Sequence, residues 1–484
     1  VYLGIDVGTS VTKAAVFDPD GVVLAVCSVR TRLDSPAPGW FEQDPDEVLR
    51  SVMEVARAVV TAVGRPPELI ALTGQGDGVW LVDGHARPIR PAISWMDARA
   101  TGILHDWLSR DVVHRVFRRT GNALFPGAAA PVLAWLATHE PRSLDRAATA
   151  AYCKDVVMQR LTGVRATDAS DASLPFLDPY NRCYHSDVLA WCGLTDRAHL
   201  LPPVIDPLPT GRLTREAADL LGVPSGTQVT AGPFDLPAGA VGSGVDRTGD
   251  GHLILGTTLV CQVLVDTVDT SGEPAGMTLH SVAPGRWWRA MPAMAGCVAI
   301  DWVMGLIGKA IEELDGLLAA SPPGARGVTC LPYFSPAGER APFLEPRARA
   351  GFSGLTVQTS TADLVRAACE AVGYVARHCF EAAGLVGEVV ACGGGTGSPG
   401  WLRIVADVLG RPVRLAPQPE TGARGAVLAG LRVLGRDVDE SAWTTPVQVI
   451  EPDSASAEIY AEGYARYQAR VAAARAEWGR GSCC

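Results

Sequence analysis

Hydrophobic and polar positions alternate between short apolar runs and polar turns from the first residue onward. Tyr2 to Val7 and Ala14-Ala15-Val16-Phe17 are two strand-like runs around Gly8-Thr9-Ser10, and Asp18-Pro19-Asp20-Gly21 supplies the next turn. Asp44-Pro45-Asp46-Glu47 then reads as an N-cap, a proline at the first helical position and an acidic first turn. The following helix places Val48, Val52, Val55, Val59 and Val63 on one stripe. Glu68 to Thr73 is a short buried strand ending at Gly74-Gln75-Gly76-Asp77-Gly78, and Val79 to Val82 and Ala92 to Trp95 continue the β pattern. A largely helical region runs to about Pro203. Thr227 to Gly232 returns to strand and is interrupted at Pro233-Phe234-Asp235.

A Gly-rich stretch, Gly239 to Gly256, reads as a hinge, which divides the chain into 1–244 and 245–484. The second half echoes the first: strand Leu253-Ile254-Leu255, then Gly256-Thr257-Thr258, then strand again. Helices are expected at roughly 361–384 and 401–409, with strand Glu388 to Ala391 between them and an amphipathic packing helix over Ala457 to Trp478. Two similar hairpins suggest a duplicated domain.

Length supports that division, since 484 residues exceed what one core usually serves. A hydrophobic content of 48% with 19% charged residues indicates a well-packed globular protein. A net charge of −10 argues against nucleic acid as a partner, so a phosphorylated ligand needs local basic groups or magnesium. Twelve cysteines without a CxxC pair suggest neither a zinc site nor a disulfide framework, and Cys483-Cys484 read as a frayed tail. No apolar run reaches transmembrane length and the chain opens on a strand without a signal peptide, so a cytoplasmic protein with no membrane partner is expected.

The candidate chemistry starts in the first hairpin. Gly8 permits a tight turn, so the amides and hydroxyls of Thr9 and Ser10 can face one anion. Asp6 offers the hard oxygen that hydrated magnesium prefers, and Lys13 adds a charge for polyphosphate. The setting is a β-hairpin, unlike a Walker loop, which opens a helix. Asp235, at a strand end among small residues, is placed to accept a proton from a hydroxyl, or else to cap the next helix. Gln75, Gly76 and Asp77 can approach a polyol closely. Trp95 with Asp97 and Arg99 adds an apolar wall and a charged pair, or a core tryptophan beside a salt bridge. Gly393-Gly394-Gly395 opens a strand–loop–helix unit suited to a nucleotide. Gly395 to Gly400 also spells GxGxxG with Glu420 about twenty residues on, which leaves a dinucleotide-dependent oxidoreductase as an alternative.

Taken together these residues resemble the FGGY family of carbohydrate kinases along nearly the whole chain. The resemblance rests on Gly4 to Ser10, on Thr162-Gly163 with Thr167-Asp168-Ala169-Ser170, and on Ala231 to Gly244. It continues through Gly338-Glu339-Arg340-Ala341-Pro342 with Gly351 to Leu355, and through Gly393-Gly394-Gly395 with Ala406-Asp407. It implies an α/β fold of two ribonuclease-H-like domains, as in the actin/Hsp70/hexokinase ATPases, with a cleft between them. It implies ATP-dependent phosphorylation of a sugar or polyol hydroxyl, with Asp235 as general base and Asp6 holding Mg²⁺. Thr9, Ser10, Lys13, Gly256, Thr257 and Thr258 would then cradle phosphates, and Gly393, Gly394 and Gly395 the adenosine. D-xylulose kinases of the family usually carry Met-His where this chain has Gly76-Asp77, and glycerol kinases Arg-Glu. The Gln75 to Gly78 loop, the Trp95 to Arg99 run and Cys153-Lys154-Asp155 look most like the erythritol and L-xylulose kinase branch, which points to a four- or five-carbon polyol or ketose. A homodimer is compatible with this reading. A nucleotide-dependent sensor or scaffold without turnover is the alternative within the same fold.

Overall fold

In the computed structural model, which describes residues 1–417 and 420–480, the chain divides into two compact units. Cys483-Cys484 lie outside the described residues. The first unit comprises Val1–Gly244, Asp266–Trp288 and Pro417–Thr445; the second comprises Val245–Val265, Arg289–Ala416 and Pro446–Cys484. Where a single boundary at 244/245 is expected, the chain changes unit five times.

The first unit is built on a six-stranded sheet in the order Val23–Arg30, Val11–Phe17, Tyr2–Val7, Leu69–Gly74, Gln228–Ala231, Thr210–Arg212. Tyr2–Val7 pairs antiparallel with Val11–Phe17 and parallel with Leu69–Gly74, which pairs parallel with Gln228–Ala231; the edge strand Thr210–Arg212 is antiparallel. The strands next to the centre are apolar on both faces because helices cover both. Helix Pro45–Val63 is capped by Asp44, which accepts the amide of Asp46 at 2.9 Å, and ends at Gly64 in the left-handed region. Val48, Val52, Val55 and Val59 are buried against Leu3, Ile5, Val16 and Ile70, while Val63 is half-buried.

The second unit repeats the pairing. Leu259–Val265 lies antiparallel to Gly251–Leu255, which is parallel to Val389–Cys392; that strand is parallel to Val413–Leu415, and Gln448–Ile450 closes antiparallel. The antiparallel, parallel, parallel, antiparallel succession is the one found in the first unit. Both hairpins that were matched by their Gly-Thr sequences therefore occupy equivalent places. Helices Thr361–Ala383, Pro399–Leu409 and Ala457–Arg480 form around the second sheet. Ser360 and Asp363 cap the first of these reciprocally.

The expected hinge is partly a helix. Gly239 and Gly242 belong to Asp235–Gly242, which packs on helix Thr421–Val433. A Cβ on Gly242 would come within 1.9 Å of the Thr421 carbonyl oxygen, and one on Gly425 within 1.8 Å of that of Ala238. These glycines serve backbone-to-backbone packing rather than flexibility.

Candidate active site

The first hairpin brings Asp6 opposite Lys13 in register, so both side chains leave the same face. Lys13 is half-exposed and pairs with Glu420 at 3.4 Å. Asp6 is half-buried, and its pKa is raised to about 6 by desolvation against the opposing pull of Lys13. At the tip the Gly8 amide closes the turn onto the Val11 carbonyl, and Ser10 is exposed. The Thr9 hydroxyl faces elsewhere than a phosphate alone would require. It accepts the Trp95 indole N–H at 2.9 Å and donates to Gln75 Oε1 at 2.9 Å. Gln75 donates to Gln43 Oε1 at 2.8 Å, and Gln43 returns to the Thr9 carbonyl at 2.8 Å. This ring ties the first hairpin to the Gln75–Gly78 loop and to Trp95. Gln43 was missed because nothing in its sequence surroundings distinguishes it.

Asp77 is buried with φ 54°, and its Oδ1 accepts the Ala129 amide at 3.3 Å. Gly76 lies against the Phe234 ring, the residue before Asp235. Asp97 and Arg99 are placed differently. Both carboxylate oxygens of Asp97 bind Arg99, one of them also accepting the Phe41 amide at 2.7 Å. The guanidinium reaches Glu42 at 2.8 Å and stacks 4.1 Å from the centre of Trp40. The pair fixes the turn that presents Trp95.

Asp235 is the first residue of helix Asp235–Gly242, whose cap is Phe234. It therefore does not take the N-cap position. Its Oδ1 is buried without a hydrogen-bond partner. Burial, then the charge of Asp6, pushes its carboxyl well above the usual range. Two partly desolvated carboxylates near one another cannot both ionise cheaply. That penalty falls when a divalent cation sits beside them, and magnesium needs only one or two protein carboxylates besides phosphate and water. The donor set fits magnesium.

The second unit holds its own cavity of about 670 Å³, lined among others by Gly256, Thr257, Ile300, Gly394, Gly395 and Trp401. Gly394–Gly397 forms one turn of 3₁₀ helix, and helix Pro399–Leu409 follows, capped by Ser398 on the Trp401 amide at 3.1 Å. The Ser398 hydroxyl also donates to Asp315 at 2.6 Å. Asp315 was not anticipated, since no motif surrounds it. Gly393 lies over Leu255, where a Cβ would be 2.6 Å from the carbonyl oxygen. Glu420, the acidic residue of the dinucleotide reading, belongs to the first unit and pairs with Lys13.

Glu339, in the Gly338 to Pro342 signature, is enclosed and accepts the amides of Met294 at 2.7 Å, Ala295 at 3.3 Å, Arg340 at 2.8 Å and Ala341 at 3.3 Å. The Ala295 carbonyl in turn receives the Leu259 amide at 2.8 Å, and the Cys297 amide donates to Gly256 at 2.9 Å. The signature thus braces the Gly256–Thr258 turn.

Comparison with known proteins agrees with these features. Residues 1–242 match the N-terminal domain, and residues 250–434 the C-terminal domain, of the FGGY family of carbohydrate kinases. An erythritol kinase of Brucella abortus is 33% identical over 98% of this chain and 96% of its own length. An L-xylulose/3-keto-L-gulonate kinase of Escherichia coli is 29% identical over 98% and 97%. The crystal structure of a xylulose kinase from Rhodospirillum rubrum superposes with a TM-score of 0.89 at 31% identity, covering 99% of both chains. With both domain models matched in order on two α/β units of the same strand pairing, the chain belongs to the FGGY family of carbohydrate kinases and is an ATP-dependent sugar or polyol kinase.

Proposed function

We propose that the acceptor is a four- or five-carbon polyol or ketose, held by the first unit, and that Asp235 is the base that takes its proton. The observation carrying this reading is the buried, unpartnered Oδ1 of Asp235 close enough to Asp6 to feel its charge. An unpaired buried oxygen is costly, and a substrate hydroxyl donating to it would remove that cost. The similarity to erythritol and L-xylulose kinases supports the substrate class.

In the reaction, the acceptor O–H loses its proton to Asp235 as the oxygen forms a bond to the γ-phosphorus of ATP. The bond from that phosphorus to the β,γ-bridging oxygen breaks, and ADP leaves with the electron pair. Asp6 would hold magnesium through water, and the ion would neutralise charge on the phosphates. Lys13 adds a cation on the same face of the hairpin. Trp95 would wall the acceptor and Asp77 would accept from its hydroxyls, while Asp97 and Arg99 hold the turn that carries Trp95. Cavity-lining Gly256, Thr257, Gly394 and Gly395, with Thr258 and Gly393, would receive the nucleotide.

The test is acceptor-dependent ADP release with MgATP over erythritol, glycerol, D- and L-xylulose, D- and L-ribulose and D-gluconate, for the native chain and Asp235→Asn. A tetritol or ketopentose should stand clearly above the water-only rate. Asp235→Asn should lower kcat about 10²- to 10⁴-fold with nucleotide affinity retained. Preference for gluconate or glycerol would overturn the substrate class, and a near-native Asp235→Asn would overturn the base.

A further inference from the structure

We propose that Lys154, Asp168 and Ser170 are positioning residues for Asp235, a role that rests on the reading of Asp235 as the base. Lys154 is fully buried; its ammonium donates a hydrogen bond to Asp155 at 2.6 Å and forms ion pairs with Asp168 at 2.7 Å and Asp171 at 2.8 Å. Burial drives the carboxyls of Asp155 and Asp171 upward. A cluster of this kind is weak evidence of stability, because apolar residues of the same volume often do as well. Its connections are more telling.

Asp168 lies in an ion pair with Lys154 through Oδ1 and directs Oδ2 to Ser170, accepting both its amide, at 2.8 Å, and its hydroxyl. With its proton so committed, the Ser170 oxygen accepts the Phe234 amide at 2.9 Å. Phe234 is the cap immediately before Asp235, so no bond inside the helix uses that amide. On the other side of the same turn, the Thr73 hydroxyl donates to the Pro233 carbonyl at 2.7 Å. Gly232 completes the fit: at φ 113°, a Cβ there would meet the Asp168 carboxyl carbon at 2.9 Å. The turn that aims Asp235 is thus gripped by Thr73 at its carbonyl and by the Lys154–Asp168–Ser170 chain at its amide. Lys154 orients Asp168, Asp168 orients the Ser170 hydroxyl, and Ser170 sets the peptide from which Asp235 springs.

Ser170→Ala removes one oxygen and leaves the rest of the cluster in place. It should lower kcat roughly 10- to 100-fold, with KM for acceptor and for MgATP within about twofold of native. Ser170→Thr, which keeps the hydroxyl, should recover most of that loss. In an Asp235→Asn background Ser170→Ala should cost little further, because a residue that acts through Asp235 has nothing left to position. Lys154→Met should reproduce the kcat loss if it folds, and Ser170→Ala carries the test if it does not. The proposal is overturned by a native kcat in Ser170→Ala, by a loss shared equally between kcat and both KM values, or by full additivity with Asp235→Asn. If Asp235→Asn is itself near-native, the base assignment fails instead, which separates the two ideas.

Discussion

Gly76→Ala adds one methyl group to the Gln75–Gly78 loop, which the proposed function assigns to the acceptor. The new Cβ would sit 2.6 and 2.7 Å from two carbons of the Phe234 ring and 3.0 Å from Asp171 Oδ1. Carbon atoms pack at about 3.5 to 4.0 Å, so the ring must retreat by about 1 Å. Phe234 is only 5% exposed and its amide is held by Ser170, which leaves the ring little room to turn aside. The displacement therefore passes to the adjoining Asp235. Overpacking of this size costs about 1–3 kcal/mol of stability, and a misplacement of about 1 Å at a reacting group costs about 10²-fold in rate. The assay is steady-state ADP release with the preferred acceptor, alongside urea unfolding. A drop of about two orders of magnitude in kcat, with ATP binding by calorimetry unaltered, is expected. Native turnover in a folded Gly76→Ala protein would refute the claim that this loop buttresses the base.

Glu339, raised from 4.5 to about 7 by burial, makes stability fall as pH rises from its unfolded value through about 7, by on the order of 3 kcal/mol. Unfolding midpoints between pH 4.5 and 8 check this, and Glu339→Gln should flatten the dependence. Gly425→Ala drives a methyl to 1.8 Å from the Ala238 carbonyl oxygen, so the two helices must part by roughly 1.5 Å, destabilising the protein by about 1–3 kcal/mol in chemical denaturation. Ser398→Ala removes the cap of helix Pro399–Leu409 and the bond to Asp315, which should cost about 1 kcal/mol and weaken ATP binding severalfold with the acceptor KM unmoved. A shift in acceptor KM instead would reassign the second-unit cavity.

The parts of this molecule visible in the sequence are those where local chemistry dictates local shape. The Gly8 turn, the Asp44 cap and the Ser398-Pro399 helix start each follow from a few neighbouring residues, and the paired Gly-Thr hairpins emerged in matching sheets. Asp97 and Arg99 illustrate the limit. Their spacing suits a sugar site and a salt bridge alike, and Phe41, Glu42 and Trp40, more than fifty residues earlier, decide the matter. Gln43 and Asp315 were illegible for the same reason, and Lys154, Asp155, Asp168 and Ser170 stood out only as separate motifs, since their joining depends on partners distant in sequence. Gly242 shows a further limit, because composition cannot distinguish a flexible glycine from one that admits a neighbouring backbone.

The helix Thr421–Val433 belongs to the first unit, yet it is synthesised only after most of the second. Until it arrives, Gly4, Ala238 and Gly242 face a vacant groove, because Ala423, Gly425 and Thr421 fill those contacts. At ribosomal speeds the delay between Gly244 and Val433 is roughly 10 to 40 s. The nascent amino-terminal half must therefore wait, with its Asp235 helix uncovered, for a strip of chain still to be translated. A gene cut at the apparent domain border would separate that half from its own last helix.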